Sequence, residues 1–501
     1  MRSEQASACR MLQGAAVWVL AAAGLTGCAG TNPAGPATAP APTVATPAAW
    51  LAPLPHGGVA TDLARWWTGF SDPVLPALID SAQTASPGLA AAAARIERAR
   101  ANRVAAGAAA LPSVDAVGAV QTGRAQLRQP AATSASLGLQ AGWEIDLFGG
   151  LAAGRDAAQA RLDGAQAGWH GARVSLAAEV AGSYVALRGC EAQLAQARLD
   201  AASREETSRL TELSARAGFT APADAALTRA SAAQSRGLVL ARQAQCETLL
   251  KGLVEVTALA EPALRARLAA GTAMMPAPAA IAVQSLPAEL LAQRPDVAEA
   301  ARNVVAAAGE RRSAAAREKP QVRLSGSLAG VSLRSAGVSM NSSTNGSTNS
   351  STNGSTWALG PLLVTLPLFD GGSSAANSAA ARADYDAAVA AHQAQVRRAL
   401  REVETTFVDL DSTARRQQDA EAAARDFEAS LVATQARQRS GLASVFDLEA
   451  ARRNAVQAQS TLVELQAERA TAWISLYRAL GGGWSTSEPA PVSNRSSSSQ
   501  P

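Results

Sequence analysis

Residues 136–148 alternate in a strict two-residue rhythm: Leu137, Leu139, Ala141, Trp143, Ile145 and Leu147 against Ser136, Gly138, Gln140, Gly142, Glu144 and Asp146. That period places successive side chains on opposite faces, so the segment predicts a strand with one apolar and one wet face. Weaker alternation predicts strands at 114–122, 322–333 and 357–369. Two long stretches without internal proline, 150–217 and 373–440, predict helices. Each would reach on the order of 100 Å if unbroken. Gly218 and Gly441 end them, and antiparallel return helices are expected over 222–259 and 445–480. In the second long stretch Val396, Leu400, Val403, Phe407, Leu410 and Ala414 recur at alternating spacings of four and three, the pattern of a coiled-coil seam. Shorter helices over 74–109 and 287–317 precede each strand pair and stop before Pro112 and Pro320.

The same unit is written twice. With an offset of 223, Glu179, Val180, Tyr184, Leu187, Gly218, Asp224 and Arg229 meet Glu402, Val403, Phe407, Leu410, Gly441, Asp447 and Arg452. Upstream, at smaller offsets, Leu147-Phe148-Gly149-Gly150 matches Leu368-Phe369-Asp370-Gly371-Gly372. The change of offset requires an insertion in the second half, visible as the Ser/Thr/Asn/Gly tract 341–356, which predicts a solvated loop. The fold class is therefore α+β, with two internal repeats at 50–284 and 285–484, each a helix, a strand pair and a long helical hairpin. Four membrane-type strands cannot close a barrel, and an open edge in lipid leaves backbone groups unpaired, so strands that enter a membrane require oligomerisation.

The N-terminus reads as an address. A short basic leader with Arg2 and Arg10 precedes an apolar stretch from Met11 to Leu25, the pattern of a secretory signal over residues 1–27. It ends in Leu25-Thr26-Gly27-Cys28, which resembles the bacterial lipobox, so Cys28 is the expected lipidation site; Ala29 after it resembles the sorting rule for the outer membrane. Residues 28–49, rich in Ala, Pro and Thr, form an expected tether, and 485–501 an expected disordered tail.

Composition removes other classes. The 501 residues are 48% hydrophobic, 17% charged and 4% aromatic, with a net charge of +4. The charged share lies below the usual quarter or so, and no segment after the leader carries about 18 consecutive apolar residues, which excludes a disordered chain and a helical membrane protein. Lys251 and Lys319 are the only lysines and neither stands in a Gly-Lys-Ser/Thr phosphate loop. The arginines are scattered among acids, so nucleic acid is excluded as a partner. His56, His170 and His392 lie far apart in no metal-ligand spacing, and no Gly-x-Ser-x-Gly elbow occurs. No catalytic, metal or cofactor motif is present, and an enzyme is not expected.

Five stretches carry a family resemblance: Trp66-Trp67-Thr68-Gly69-Phe70-Ser71-Asp72-Pro73, Trp143-Glu144-Ile145-Asp146-Leu147-Phe148-Gly149, Leu291-Ala292-Gln293-Arg294-Pro295-Asp296-Val297, Pro367-Leu368-Phe369-Asp370-Gly371-Gly372, and Tyr477-Arg478-Ala479-Leu480-Gly481-Gly482-Gly483-Trp484. With them the chain resembles the TolC family of outer-membrane efflux channels, closest to its lipid-anchored, NodT-like branch. The resemblance implies a homotrimer with a twelve-stranded barrel in outer-membrane lipid and a twelve-helix periplasmic tunnel. It implies docking to a periplasmic membrane-fusion adaptor protein and an inner-membrane pump of the resistance-nodulation-division (RND) type. The chain would then be the passive exit duct of a tripartite efflux pump that exports small molecules.

On that reading the hairpin tips at Gly218 and Gly441 form the periplasmic end, where three copies of one side chain approach the pore axis. Phe446, Asp447 and Glu449 are the candidate gate; many relatives place an aspartate where this chain has Ala450. For Asp447 and Asp224 a second reading stays open, as first-turn acids that complement the helix macrodipole. Trp66, Trp67 and Phe70 are expected in the core rather than in a membrane belt, Trp143 against lipid, and Arg124 and Arg128 in a solvated loop. Cys190 and Cys246 lie 28 residues before and 28 after Gly218, which brings them to similar height in an antiparallel hairpin. They are either a disulfide or two small buried thiols. The rival function is a coiled-coil lipoprotein spacer or periplasmic adaptor that never forms a pore.

Overall fold

The computed structural model describes residues 46–54, 63–70, 72–123, 131–283, 287–337 and 348–485. The expected signal, Cys28, the tether as far as residue 45, Arg124 and Arg128, the first part of the polar tract (341–347) and the tail beyond Ser485 lie outside the described residues. After a 3-10 helix at Leu63–Phe70 the chain runs through α1 (Val74–Ala85), α2 (Pro87–Ala108), β1 (Ser113–Gly123), β2 (Ala132–Ile145), α3 (Gly150–Arg216), α4 (Pro222–Thr257) and α5 (Glu261–Leu268). It continues as α6 (Pro287–Ala292), α7 (Pro295–Ala316), β3 (Gln321–Gly337), β4 (Thr348–Thr365), α8 (Ser373–Arg439) and α9 (Val445–Ala479), with a last 3-10 turn at Gly481–Gly483. Two compact units emerge: a sheet unit from Ala106–Ala157 and Ala307–Arg382, and a helical unit from the described parts of Pro42–Ala105, Ala158–Ala306 and Ala383–Pro501.

In the sheet unit the four strands lie in the order β1-β2-β3-β4, every neighbour antiparallel. The sequence places β4 from residue 357, with the polar tract as a loop, but the strand begins at Thr348 and pairs it with Gly337 of β3. A ladder is bonded through the backbone, so Ser, Thr and Asn extend it wherever a partner strand is present; polarity decides what the segment faces, not whether it pairs. The strands also stop short of Phe148 and Phe369. Asp146 and Asp370 turn the chain there: the Ala152 N–H donates to Asp146 Oδ2 at 2.8 Å, and the Gly372 and Ser374 N–H groups donate to Asp370 at 3.0 and 2.8 Å. Each carboxylate thereby meets orphan amides at the start of a long helix.

The helical unit holds the main apolar core. Trp66 stacks on Tyr477 (centroids 5.3 Å apart), meets Trp67 and Phe70 at 4.8 Å, and donates its indole N–H to Ala279 O at 2.9 Å. Leu75 and Leu78 of α1, Val180 and Tyr184 of α3, Leu253 of α4, Phe407 of α8 and Leu476 of α9 are buried in the same cluster. Of the seam, Val396, Val403, Phe407 and Leu410 are buried, while Thr413 takes the inward place expected for Ala414. Two expected single helices are each broken in two. Ser86 adopts an extended conformation before Pro87, and the chain turns at Gln293 and Arg294 before Pro295, because proline crowds the residue preceding it out of the helical region. Arg188, fully buried, ties α3 to the end of α5, donating to Tyr184 Oη, Glu191, Leu268 O and Ala270 O at 2.8–3.1 Å.

Candidate functional site

The pairing register defines the sheet's two faces without reference to side-chain contacts. Val114, Ala116 and Val120 of β1 stand opposite Ala141, Leu139 and Ala135 of β2. Across β2, Leu139, Trp143 and Ile145 stand opposite Leu328, Leu324 and Val322 of β3, which in turn face Trp357, Leu362 and Val364 of β4. Directly paired residues share a face, so these form one apolar surface crossing all four strands. The other face carries Asp115, Gln121, Ser136, Gln140, Glu144 and Arg323. Among the described residues most of the apolar face is open, with Trp357 80% and Leu359 79% exposed, and it is covered only at its end, where Val322 is buried. From Ala135 to Ile145 the apolar rows span ten residue steps, about 34 Å along the strand and about 24 Å of depth when tilted by 45°, the height of a membrane barrel's apolar band. A register shift between Leu324 and Gly326 keeps Trp357 and Leu359 on the same face as Leu362 and Val364 across Gly360-Pro361.

At the far ends of the helical hairpins the two repeats make the same turn. Gly218 (φ +81°) and Gly441 (φ +74°) occupy the left-handed region. The Gly218 and Phe219 N–H groups donate to Ala215 O and Ser214 O at 3.0 and 2.9 Å; those of Gly441 and Leu442 donate to Gln438 O and Arg437 O at 3.0 and 2.8 Å. Both are Schellman closures, which a Cβ at either glycine would strain. Each closure pushes an apolar side chain outward: Phe219 is 87% and Leu442 70% exposed.

A third feature joins the repeats to each other. Glu449 of α9, only 7% exposed, accepts from Arg204 of α3 and Ser231 of α4 at 2.9 Å each and from Arg452 at 2.5 Å. Arg204 also bonds Asp200 at 2.8 Å, and Arg452 reaches Thr207 at 3.2 Å. Two cations and two anions are thus balanced inside the helical unit, the charges on α3 and α9, with the Ser231 hydroxyl joining from α4. Burial pulls the Arg452 pKa below the usual guanidinium value, opposed by the nearby Glu449 and Asp200 charges.

The sequence model of the family described as "Outer membrane efflux protein" matches residues 78–258 and 286–482. The chain belongs to this family. The efflux protein is 28% identical over 472 residues to the pyoverdine export outer membrane protein OpmQ of Pseudomonas putida, covering 90% of this chain and 95% of that one. It is 30% identical to the outer membrane protein OprJ of Pseudomonas aeruginosa, covering 89% and 92%. The solved outer-membrane channel OprN superposes with a TM-score of 0.75 at 27% identity, covering 88% of this chain and 99% of that one. The family is one of efflux channels rather than enzymes, and its place is the outer membrane. The long helical hairpins with a small antiparallel sheet are the TolC-like architecture that the residues suggested.

The three gate candidates of the efflux protein do not converge. Phe446 is exposed near the tip. Asp447 is engaged in a capping box: its N–H donates to Ser444 Oγ at 3.1 Å, and the Ser444 N–H donates to its carboxylate at 2.8 Å. The Ser444 side chain and backbone hold the Asp447 pKa below the usual carboxylate range. Asp224, its counterpart, lies in the first turn of α4 behind Pro222. Glu449 instead turns inward, to the joint between the repeats. Its partners Arg204 and Ser231, and Asp200 beyond Arg204, carry little sequence signal, although the Asp200–Arg204 and Glu449–Arg452 spacings of four and three are a helical pairing pattern. Cys190 of α3 and Cys246 of α4 stand with Cα atoms 5.6 Å and sulfurs 2.08 Å apart. Trp143 donates its indole N–H to Ala110 O at 3.0 Å. Among the described residues no cluster of His, Cys, Asp or Glu suits a metal ion.

Proposed function

We propose that three copies of the chain associate around one axis, so that three sheets of four strands close a twelve-stranded barrel in the outer membrane and the helical hairpins form a tunnel below it. The supporting observation is the sheet. Most of its apolar face is exposed, and among the described residues β1 and β4 each pair along one edge only. In lipid those free edges leave donors and acceptors unsatisfied, at several kcal/mol per group, and a neighbouring copy removes the cost. The polar face then lines a wet lumen. The duct performs no chemistry and takes its energy from an RND-type inner-membrane pump, which it meets through a periplasmic adaptor. The exposed Phe219 and Leu442 tips suit such an end-on contact.

Within the tunnel, Phe446 and Asp447 would approach the axis near the periplasmic end, while Glu449 acts from behind as a latch that ties the second hairpin to the first. Cys28 carries the lipid anchor on the tether 28–49 after cleavage of the signal 1–27. The two efflux repeats occupy 50–284 and 285–484, followed by the tail 485–501. Cys190 and Cys246 are oxidised to a disulfide in the periplasm, stapling α3 to α4. Planar-bilayer recording of the detergent-extracted protein tests the duct. Discrete conductance steps are expected; protein that inserts without conducting, or does not insert, refutes it and returns the spacer reading.

A further inference from the structure

Where the expected tether ends, the chain is held by α8. The Leu51 N–H donates to Glu404 Oε1 at 2.9 Å and the Ala52 N–H to Glu404 Oε2 at 2.8 Å, one carboxylate oxygen for each of two consecutive amides. One helical turn further, the Trp50 ring meets Phe407 edge-on, centroids 5.4 Å apart and planes at 88°. Residues three apart on a helix are surface neighbours, so the carboxylate and the ring form a two-point site on one face of α8. Recognition runs through the backbone: the Leu51 side chain is 89% exposed while its amide is bound. Pro47 and Pro53 flank the segment and donate nothing, and Pro53 biases Ala52 to an extended conformation. Only one repeat is built this way. At the 223-residue offset Ala181 and Tyr184 stand for Glu404 and Phe407, and Tyr184 instead donates its hydroxyl to Asp72.

We infer that Glu404 and Phe407 form a clasp for Trp50–Ala52, the fixed point at which the N-terminal tether joins the folded body. The consequence for the membrane rests on the reading that Cys28 is acylated. With the clasp closed, 22 residues separate the lipid from its attachment, a reach of about 70 Å in a polyproline-like chain. The clasp therefore sets how far the anchor can lie from α8, and the carboxylate does so without constraining the tether's side chains.

Hydrogen exchange across residues 48–54 of the detergent-extracted full-length protein tests the inference. In the unaltered protein the Leu51 and Ala52 amides should exchange on the order of 30-fold slower than unprotected amides, and Glu404→Ala should restore fast exchange there while Trp473–Ala479 stays protected. Glu404→Gln, which keeps one acceptor oxygen, should fall between. Unprotected Leu51 and Ala52 in the unaltered protein, or unchanged protection in Glu404→Ala, overturns the clasp. Should Glu404→Ala lose protection in α9 as well, Trp50→Ala decides: it must speed exchange at Leu51 and Ala52, and no change overturns the clasp. Intact mass of the same samples reports acylation separately: a bare Cys28 with protected amides removes the lipid leash and leaves the clasp standing.

Discussion

Replacing Glu449 with alanine probes the joint between the repeats. The substitution deletes three hydrogen bonds to a buried carboxylate, from Arg204, Ser231 and Arg452. At about 1–1.5 kcal/mol net for each, the loss is roughly 3–4.5 kcal/mol. Asp200 stays on Arg204 at 2.8 Å and returns part of this, whereas Arg452, 4% exposed, loses its one hydrogen-bonded carboxylate. About 3 kcal/mol is therefore expected, at the lower end of the range for breaking a buried ion pair. If the joint holds the second hairpin against the first in the closed duct, that energy shifts the closed-to-open balance by roughly 150-fold per chain. Single-channel recording reads this directly, as a large rise in open probability for Glu449→Ala. Glu449→Gln, which keeps one acceptor oxygen for Arg204, Ser231 or Arg452, should return part of the closure. Channels of Glu449→Ala that open no more often than the unaltered protein, with the same subunit number, would refute the latch.

On the sheet, Leu139→Arg puts a charge on the apolar face and should cost about 2–4 kcal/mol per chain, seen as a lower yield of heat-resistant oligomer, while Gln140→Arg on the opposite face should be tolerated; equal effects would remove the assignment of faces. Cys190 and Cys246 should resist alkylation until reduced, and Cys190→Ser should lower the thermal midpoint. With a sequence separation of 56, loop-closure entropy gives an upper figure of about 4 kcal/mol. His392 is buried, and burial lowers its pKa. Above about pH 6.5 neither folded nor unfolded chain holds its proton; below it the unfolded chain binds first, so stability falls as the pH drops toward the folded value. The difference in melting temperature between pH 7.5 and 5.5 should therefore shrink in His392→Gln; an unchanged difference would assign the acid sensitivity elsewhere.

The long elements were legible because their signals are local and repeated. Gly150–Arg216 and Ser373–Arg439 contain no proline and are each closed by a glycine two residues on, and β2 alternates without interruption. The helix breaks at Pro87 and Pro295 were also written in the chain, but surrounding alanine-rich segments favour helix on both sides and hide the interruption. β4 could not be bounded from its own composition, since Thr348 to Thr356 pair only because β3 runs on to Gly337. Glu449 was legible as a residue near the tip and illegible as a buried one. Its direction depends on how α9 packs against α3 and α4, and the carboxylate is buried only because Arg204 and Arg452, one of them 245 residues away in sequence, are there to receive it. The Glu404 contact was hidden for the same reason, with donor and acceptor 353 positions apart in sequence.

Closure of a barrel from several chains is the central claim, and native mass spectrometry of the mature protein released from detergent micelles counts the chains. The account predicts a trimer that requires detergent to stay in solution, because the apolar sheet face and its two free edges belong in lipid and against neighbours. A monomer that remains soluble after the detergent is withdrawn would contradict it.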